Sequence, residues 1–107
     1  MEEVLVKIRA REDKRSELLQ TCHYIAERTL KVPGCKGSLL LQDSEKGDLI
    51  TLEQQWDRRS LLNDYFRSEH FTALLGAMKW LGQSFEIQIN GSTHEEGMKV
   101  IQFQRMT

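Results

Sequence analysis

Four side chains near the middle of this 107-residue chain could do chemistry together: Gln54, Trp56, Tyr65 and His70. Imidazole has a reference pKa of ~6.5 and can take a proton from a phenol or quinol near neutral pH, which makes His70 the candidate base. Trp56 offers a flat apolar surface for a planar aromatic and an indole N–H to donate. Tyr65 could donate a hydrogen bond to a substrate oxygen, and its spacing from Leu61 turns it to the inward face of a helix. Gln54 shares a strand face with Trp56 and could orient a carbonyl. Each also has a plain structural role open to it. His70 could bridge a helix break through hydrogen bonds to backbone. Trp56 could plug the core between sheet and helix, and Gln54 and Tyr65 could belong to a partly polar interior.

The remaining reactive side chains suggest little. Cys22 and His23 are neighbours on a helix and point about 100° apart; Cys22 falls on the apolar stripe and reads as a small core residue, His23 as solvent-facing. His94 lies in a polar Gly91–Gly97 segment expected to be a loop. Cys35 has no sequence-adjacent partner that would make it a nucleophile. Three histidines without paired spacing give no metal site, and the chain has no phosphate-binding glycine loop and no Gly-x-Ser-x-Gly. Fifteen Lys and Arg against 16 Asp and Glu leave a formal net charge of -1, without the basic excess of a nucleic-acid binder. Apolar runs such as Leu39-Leu40-Leu41 are far shorter than the ~20 residues a membrane span needs. The N-terminus lacks the pattern of a signal peptide, and two cysteines are too few for a secreted disulfide framework, so the expected location is cytoplasmic. The length suits one domain, 1–107, with a core of about 3–91 and an extension over 92–107.

The elements that must position these residues follow from hydrophobic period. Val4, Val6 and Ile8 alternate with Leu5, Lys7 and Arg9 as a half-buried strand. Leu18, Leu19, Cys22, Ile25, Ala26, Thr29 and Leu30 then share a helical face, with Asp13 as the expected N-cap and Val32-Pro33-Gly34 as the stop. Ser38–Asp43 and Leu49–Trp56 read as a hairpin around the polar 43–48 loop. On its second arm Ile50, Leu52, Gln54 and Trp56 face one way. Asp57 is placed to cap a helix from about Arg58 to Leu81, broken at Arg67-Ser68-Glu69, where Ser68 can cap a second segment; Gly82 ends it. Phe85, Ile87 and Ile89 form a further strand, Asn90-Gly91 turns, and alternation over Lys99–Arg105 predicts a weak final strand.

The order is β-α-β-β-α-β plus a C-terminal strand: an α+β, ferredoxin-like antiparallel sheet with two helices on one face. Leu5, Leu39 and Leu41 then fall on the uncovered face. A second copy is the simplest cover, which predicts a homodimer whose sheets pack face to face.

On this pattern the sequence resembles the antibiotic biosynthesis monooxygenase (ABM) family of dimeric α+β barrels. The likeness spans Val4 to about Ile89 and rests on Val32-Pro33-Gly34-Cys35 after the first helix, Trp56 ending the third strand, and Ser68-Glu69-His70-Phe71. It implies a dimeric barrel with a pocket between sheet and helices of each subunit, lined by Trp56, Tyr65, Gln54 and Phe71, with His70 catalytic. It further implies a cofactor-independent monooxygenase acting on a small phenolic or quinol-like aromatic, because deprotonation makes such a substrate electron-rich enough to reduce oxygen. The alternative is a non-catalytic, ligand-binding or stress-related barrel. Two positions depart from the family pattern: Tyr65 stands where many members have His, and Gln54 where an acid is common. The Asn-Trp-His set of haem-degrading members is not evident, so haem degradation is not expected.

Overall fold

The computed structural model describes all 107 residues, Met1–Thr107. In chain order the elements are β1 (Glu2–Ala10), α1 (Arg15–Thr29), β2 (Cys35–Gln42), β3 (Leu49–Trp56), α2 (Arg59–Phe66), α3 (Glu69–Leu81), β4 (Gly82–Ile89) and α4 (His94–Arg105). The four strands form one antiparallel sheet in the order β2-β3-β1-β4. This is the ferredoxin-like α+β arrangement, with the second helix of that pattern divided into α2 and α3.

Register decides which residues meet. Val4, Val6 and Ile8 of β1 stand opposite Gln54, Leu52 and Ile50 of β3 on one side, and opposite Ile89, Ile87 and Phe85 of β4 on the other. Because strand side chains alternate faces, this register puts Gln54 and Trp56 on the buried face along with the aliphatic core. Above them pack Leu18, Cys22, Ile25 and Ala26 of α1, Leu62, Tyr65 and Phe66 of α2, and Phe71, Leu74 and Met78 of α3. Ser68 caps α3 as the sequence predicts, its Oγ accepting from the Phe71 amide at 3.3 Å. Gly34 takes φ +92 directly after Pro33, and Asn90 and Gly91 take φ +53 and +76 at the turn leaving β4.

Three expectations are corrected. The C-terminal segment is a helix, α4, and not a strand. Gly97 and Ile101 are its buried residues, a helical i, i+4 pair, and Thr93 Oγ1 accepts from the Glu96 amide at 3.1 Å. Thr93-x-x-Glu96 is thus the start of a capping box, a signal that outweighs the short alternation at 99–105. His94 consequently belongs to the first turn of α4 and not to a loop. Its Nδ1 accepts from the Ile87 amide at 3.0 Å, while Ser92 Oγ accepts from the Ile89 amide at 3.0 Å. The outer edge of β4, which has no strand neighbour, is closed in this way by side chains.

The expected caps Asp13 and Asp57 are also displaced. Lys14 and Arg58 hold the N-cap positions, and neither makes a side-chain cap hydrogen bond. A turn in which the Lys14 amide donates to Arg11 O at 2.9 Å delays α1. The Asp57 amide donates to Gly34 O at 2.8 Å, which prolongs the β2–β3 pairing by one residue and delays α2.

Candidate functional site

Three of the predicted residues meet in a buried polar chain. Trp56 Nε1 donates to Gln54 Oε1 at 3.2 Å, and Gln54 Nε2 donates to Tyr65 Oη at 3.1 Å. An indole nitrogen can only donate, so the amide oxygen must face Trp56 and the amide nitrogen must face the phenol. Trp56, Gln54 and Tyr65 are each no more than 1% exposed, so every one of these polar atoms would be an expensive orphan without its neighbour. Burial pushes the Tyr65 phenol up to about 12, and its hydrogen bonds with Gln54 and Thr29 offset only part of that push. Thr29 completes the chain at its far end, its Oγ1 donating to Ile25 O at 2.7 Å.

Aromatic packing fixes Tyr65 from the other sides. Its ring centroid lies 4.6 Å from that of Trp56 and 5.4 Å from that of Phe71, the latter edge-on at 75°. Phe66 meets Phe71 edge-on at 5.1 Å. The interior at Trp56, Gln54 and Phe71 is therefore filled with side chains.

His70 stands apart from this cluster. It occupies the first turn of α3 and is half-buried. Ser68 performs the capping that His70 could have performed: its Oγ accepts from the Phe71 amide and donates to Tyr65 O at 2.6 Å, tying α2 to α3 across the break. The imidazole is left facing two adjoining clefts. The larger, about 450 Å³, lies between the end of α1, the Val32-Pro33 turn and the α2–α3 junction, and His70, Tyr65 and Leu61 line it. The smaller, about 270 Å³, lies between α1 and α3, with Thr29 and His70 in its wall. A volume of about 450 Å³ falls within the range of small-molecule sites.

The structure therefore brings His70 and Tyr65 to one cleft and places Trp56, Gln54 and Phe71 behind it; these three line neither cleft. It also adds residues that the sequence did not single out. Arg28 and Lys31, in the last turn of α1 and just beyond it, line the larger cleft, as do Asp64 and Ser68. No local pattern marks Arg28 and Lys31 out; they reach the cleft because the Val32-Pro33-Gly34 turn sets the end of α1 near Leu61 of α2. Cys22 is buried in the core and Cys35 is half-buried, its Sγ 3.4 Å from Gly37 O. Burial raises both thiols, that of Cys22 to about 12, which disfavours the thiolate. No three or more His, Cys, Asp or Glu side chains converge as a metal-binding group, and no helix is long and apolar enough to cross a membrane.

A short loop between α1 and β2, a tryptophan closing β3 and a serine-capped break between α2 and α3 are features that a family model can recognise. Residues 1–77 match the model described as antibiotic biosynthesis monooxygenase, ABM. The chain belongs to the ABM family. Among solved structures it is similar to a conserved protein from Methanosarcina mazei Go1, with 26% identity, a TM-score of 0.74, and 82% of this chain and 88% of the other covered. It shares its fold with an antibiotic biosynthesis monooxygenase, so named provisionally, from Deinococcus radiodurans, at 19% identity and a TM-score of 0.78 over 86% of this chain and 92% of the other. A protein named in the same way from Nitrosomonas europaea has 16% identity and a TM-score of 0.74 over 86% and 98% of the two chains. No curated protein matches the sequence. The ABM match ends within α3, so α4 lies outside it.

Proposed function

We propose that this ABM protein is a cofactor-independent monooxygenase acting on a small phenolic or quinol-type substrate, bound in the cleft of about 450 Å³ with His70 as the base. The observation that carries this reading is that the half-buried His70 and the inner residue Tyr65 both line that cleft. Tyr65 orients a substrate oxygen, and Trp56, Gln54 and Phe71 position Tyr65 from the interior. His70 takes the phenolic proton, and the phenolate passes electrons to molecular oxygen. For a phenol becoming a quinone, one ring C–H bond is replaced by C=O, the O–O bond breaks, one oxygen atom enters the product and the other leaves as water. The substrate supplies all four electrons, so no further reductant is needed.

The working unit in this reading is a homodimer in the cytoplasm, a location in keeping with two unpaired cysteines. The uncovered sheet face supports the dimer: Leu39 is 58% exposed and Leu41 47% exposed, on the face opposite the one that Leu40 and Leu52 share. A filled interior around Trp56 favours a second reading, a non-catalytic ligand-binding barrel, because a ligand in the cleft would not reach the indole.

Oxygen consumption with a panel of phenols and quinols separates the two. The wild-type protein should consume oxygen with at least one of them, and His70→Ala should lower that rate by roughly 10²–10⁴-fold, the usual range for loss of a general base. Equal rates for the two proteins would remove His70 from the mechanism, and no uptake with any substrate would favour the binding role.

A further inference from the structure

We infer that the ligand of the larger cleft is an anion: an aromatic ring carrying a carboxylate or phosphate substituent, held by Arg28 and Lys31. The inference rests on the reading of that cleft as the substrate site and adds the class of molecule it selects. Four observations carry it. Arg28 and Lys31 both line the cleft beside His70, and Arg28 and His70 also border the smaller cleft next to it. Neither Arg28 nor Lys31 forms an ion pair, although Arg9, Lys14, Arg58, Arg59 and Arg67 each pair with a carboxylate. The one carboxylate in the larger cleft, Asp64, is engaged by Arg67. The Arg28 guanidinium is held over the Tyr24 ring, 5.4 Å from its centroid, so part of the cost of ordering a long side chain is already met.

The remaining surface of the cleft suits the rest of such a molecule. Val32, Pro33 and Leu61 give one apolar side on which a ring can lie, with Tyr65 and His70 beyond it. The protein as a whole has a formal net charge of -1 and would not draw an anion by its overall field. Any preference for an anion must be local. Arg28 and Lys31 also sit where cations offset the C-terminal end of the α1 dipole, and that stabilising role predicts no ligand preference at all.

Calorimetric titration without oxygen tests the inference. The probes are 2,5-dihydroxybenzoate, its neutral methyl ester, and 4-hydroxyphenyl phosphate. At low ionic strength the wild-type protein should bind at least one of the two anions about tenfold or more tighter than the ester, as expected for one charge-assisted hydrogen bond. Whichever anion binds tighter identifies the substituent. Arg28→Gln combined with Lys31→Gln should bring that ratio close to one, with the ester's affinity little changed. Lys79→Gln, outside the cleft, should leave the ratio as in wild type. Equal binding of ester and both anions by wild type would overturn the inference, as would a ratio that survives the double substitution or falls equally with Lys79→Gln. Failure of the oxidation reading is distinct: it would appear as tight anion binding with no oxygen uptake once air is admitted.

Discussion

The Gln54 amide donates to the Tyr65 hydroxyl at 3.1 Å, a single bond that joins the third strand to the second helix at the back of the cleft. Gln54 also accepts from Trp56 Nε1 at 3.2 Å, so one side chain satisfies two buried groups on different elements. Gln54→Leu keeps the volume but orphans both the indole N–H and the phenol. The expected loss of stability is on the order of 2–6 kcal/mol, since each of the two unpaired buried groups costs ~1–3 kcal/mol. Tyr65→Phe leaves only one face of the Gln54 amide unpaired and should cost about 1–2 kcal/mol. Urea denaturation of the two variants checks the order; a Gln54→Leu protein as stable as wild type would mean the chain carries no stability.

Alkaline pH should weaken the fold through two groups in the same core. Burial raises the Cys22 thiol from 9.0 and the Tyr65 phenol from 10.0, each to about 12. The folded protein then keeps protons that the unfolded chain releases, so stability is complete below pH 9 and is lost as pH rises from 9 towards 12. Between pH 8 and pH 11 the loss should be on the order of 4 kcal/mol, because each retained proton costs about 1.4 kcal/mol for every pH step of one above the unfolded-state value. Cys22→Ala begins less stable but should show a shallower decline over that window by denaturant titration. A decline as steep as wild type would show that Cys22 does not titrate on unfolding.

Much of this arrangement is legible from residue pattern because it depends on period and punctuation. Val4, Val6 and Ile8 alternate, Ser68 precedes a renewed helical stripe, and Gly34 follows Pro33 where only a positive φ lets the chain turn back. The C-terminal helix departs from its expected strand for a reason of the same kind. Val100, Gln102 and Gln104 alternate over too few residues to exclude a helix, and the deciding signal lies earlier, in Thr93-x-x-Glu96. The site is legible only in part. Trp56, Gln54 and Tyr65 are recognisable as a set because strand alternation and helix period both turn inward at them. Which of them borders the cleft is set by how α1, α2 and the 32–34 turn come together, an arrangement of three elements that no local pattern encodes. Arg28 and Lys31 escape notice for that reason: on α1 alone they are ordinary surface cations.

The uncovered sheet face predicts assembly in solution. If Leu39 and Leu41 pack against a second copy, the wild-type protein should run at twice the 12.5 kDa chain mass by size-exclusion chromatography with light scattering. Leu39→Lys with Leu41→Lys places two buried charges in that interface and should give monomer with an unchanged circular dichroism spectrum, because both side chains are already exposed in the single chain. A wild-type monomer at micromolar concentration would refute the face-to-face dimer.

Gly34 links the turn after α1 to the cleft wall, and its replacement should disturb both. The residue sits at φ +92, and a Cβ there would lie 2.6 Å from Leu61 Cβ and 2.7 Å from Leu61 Cδ1. Gly34→Ala therefore combines left-handed backbone strain with a clash against the residue that forms the apolar side of the larger cleft. The expected loss is on the order of 2–5 kcal/mol, the sum of about 1–2 for the backbone and 1–3 for overpacking. Leu61→Ala removes Cγ and Cδ1 from the clash but leaves its own Cβ and the backbone strain. In the Gly34→Ala background it should restore about 1 kcal/mol relative to its effect alone, a coupling that a double-mutant cycle by urea denaturation measures. Strict additivity would place Gly34 and Leu61 out of contact. Aromatic ligands should bind more weakly to Gly34→Ala than to the doubly substituted protein, because only the single variant forces the Leu61 side chain into the space the ring would occupy.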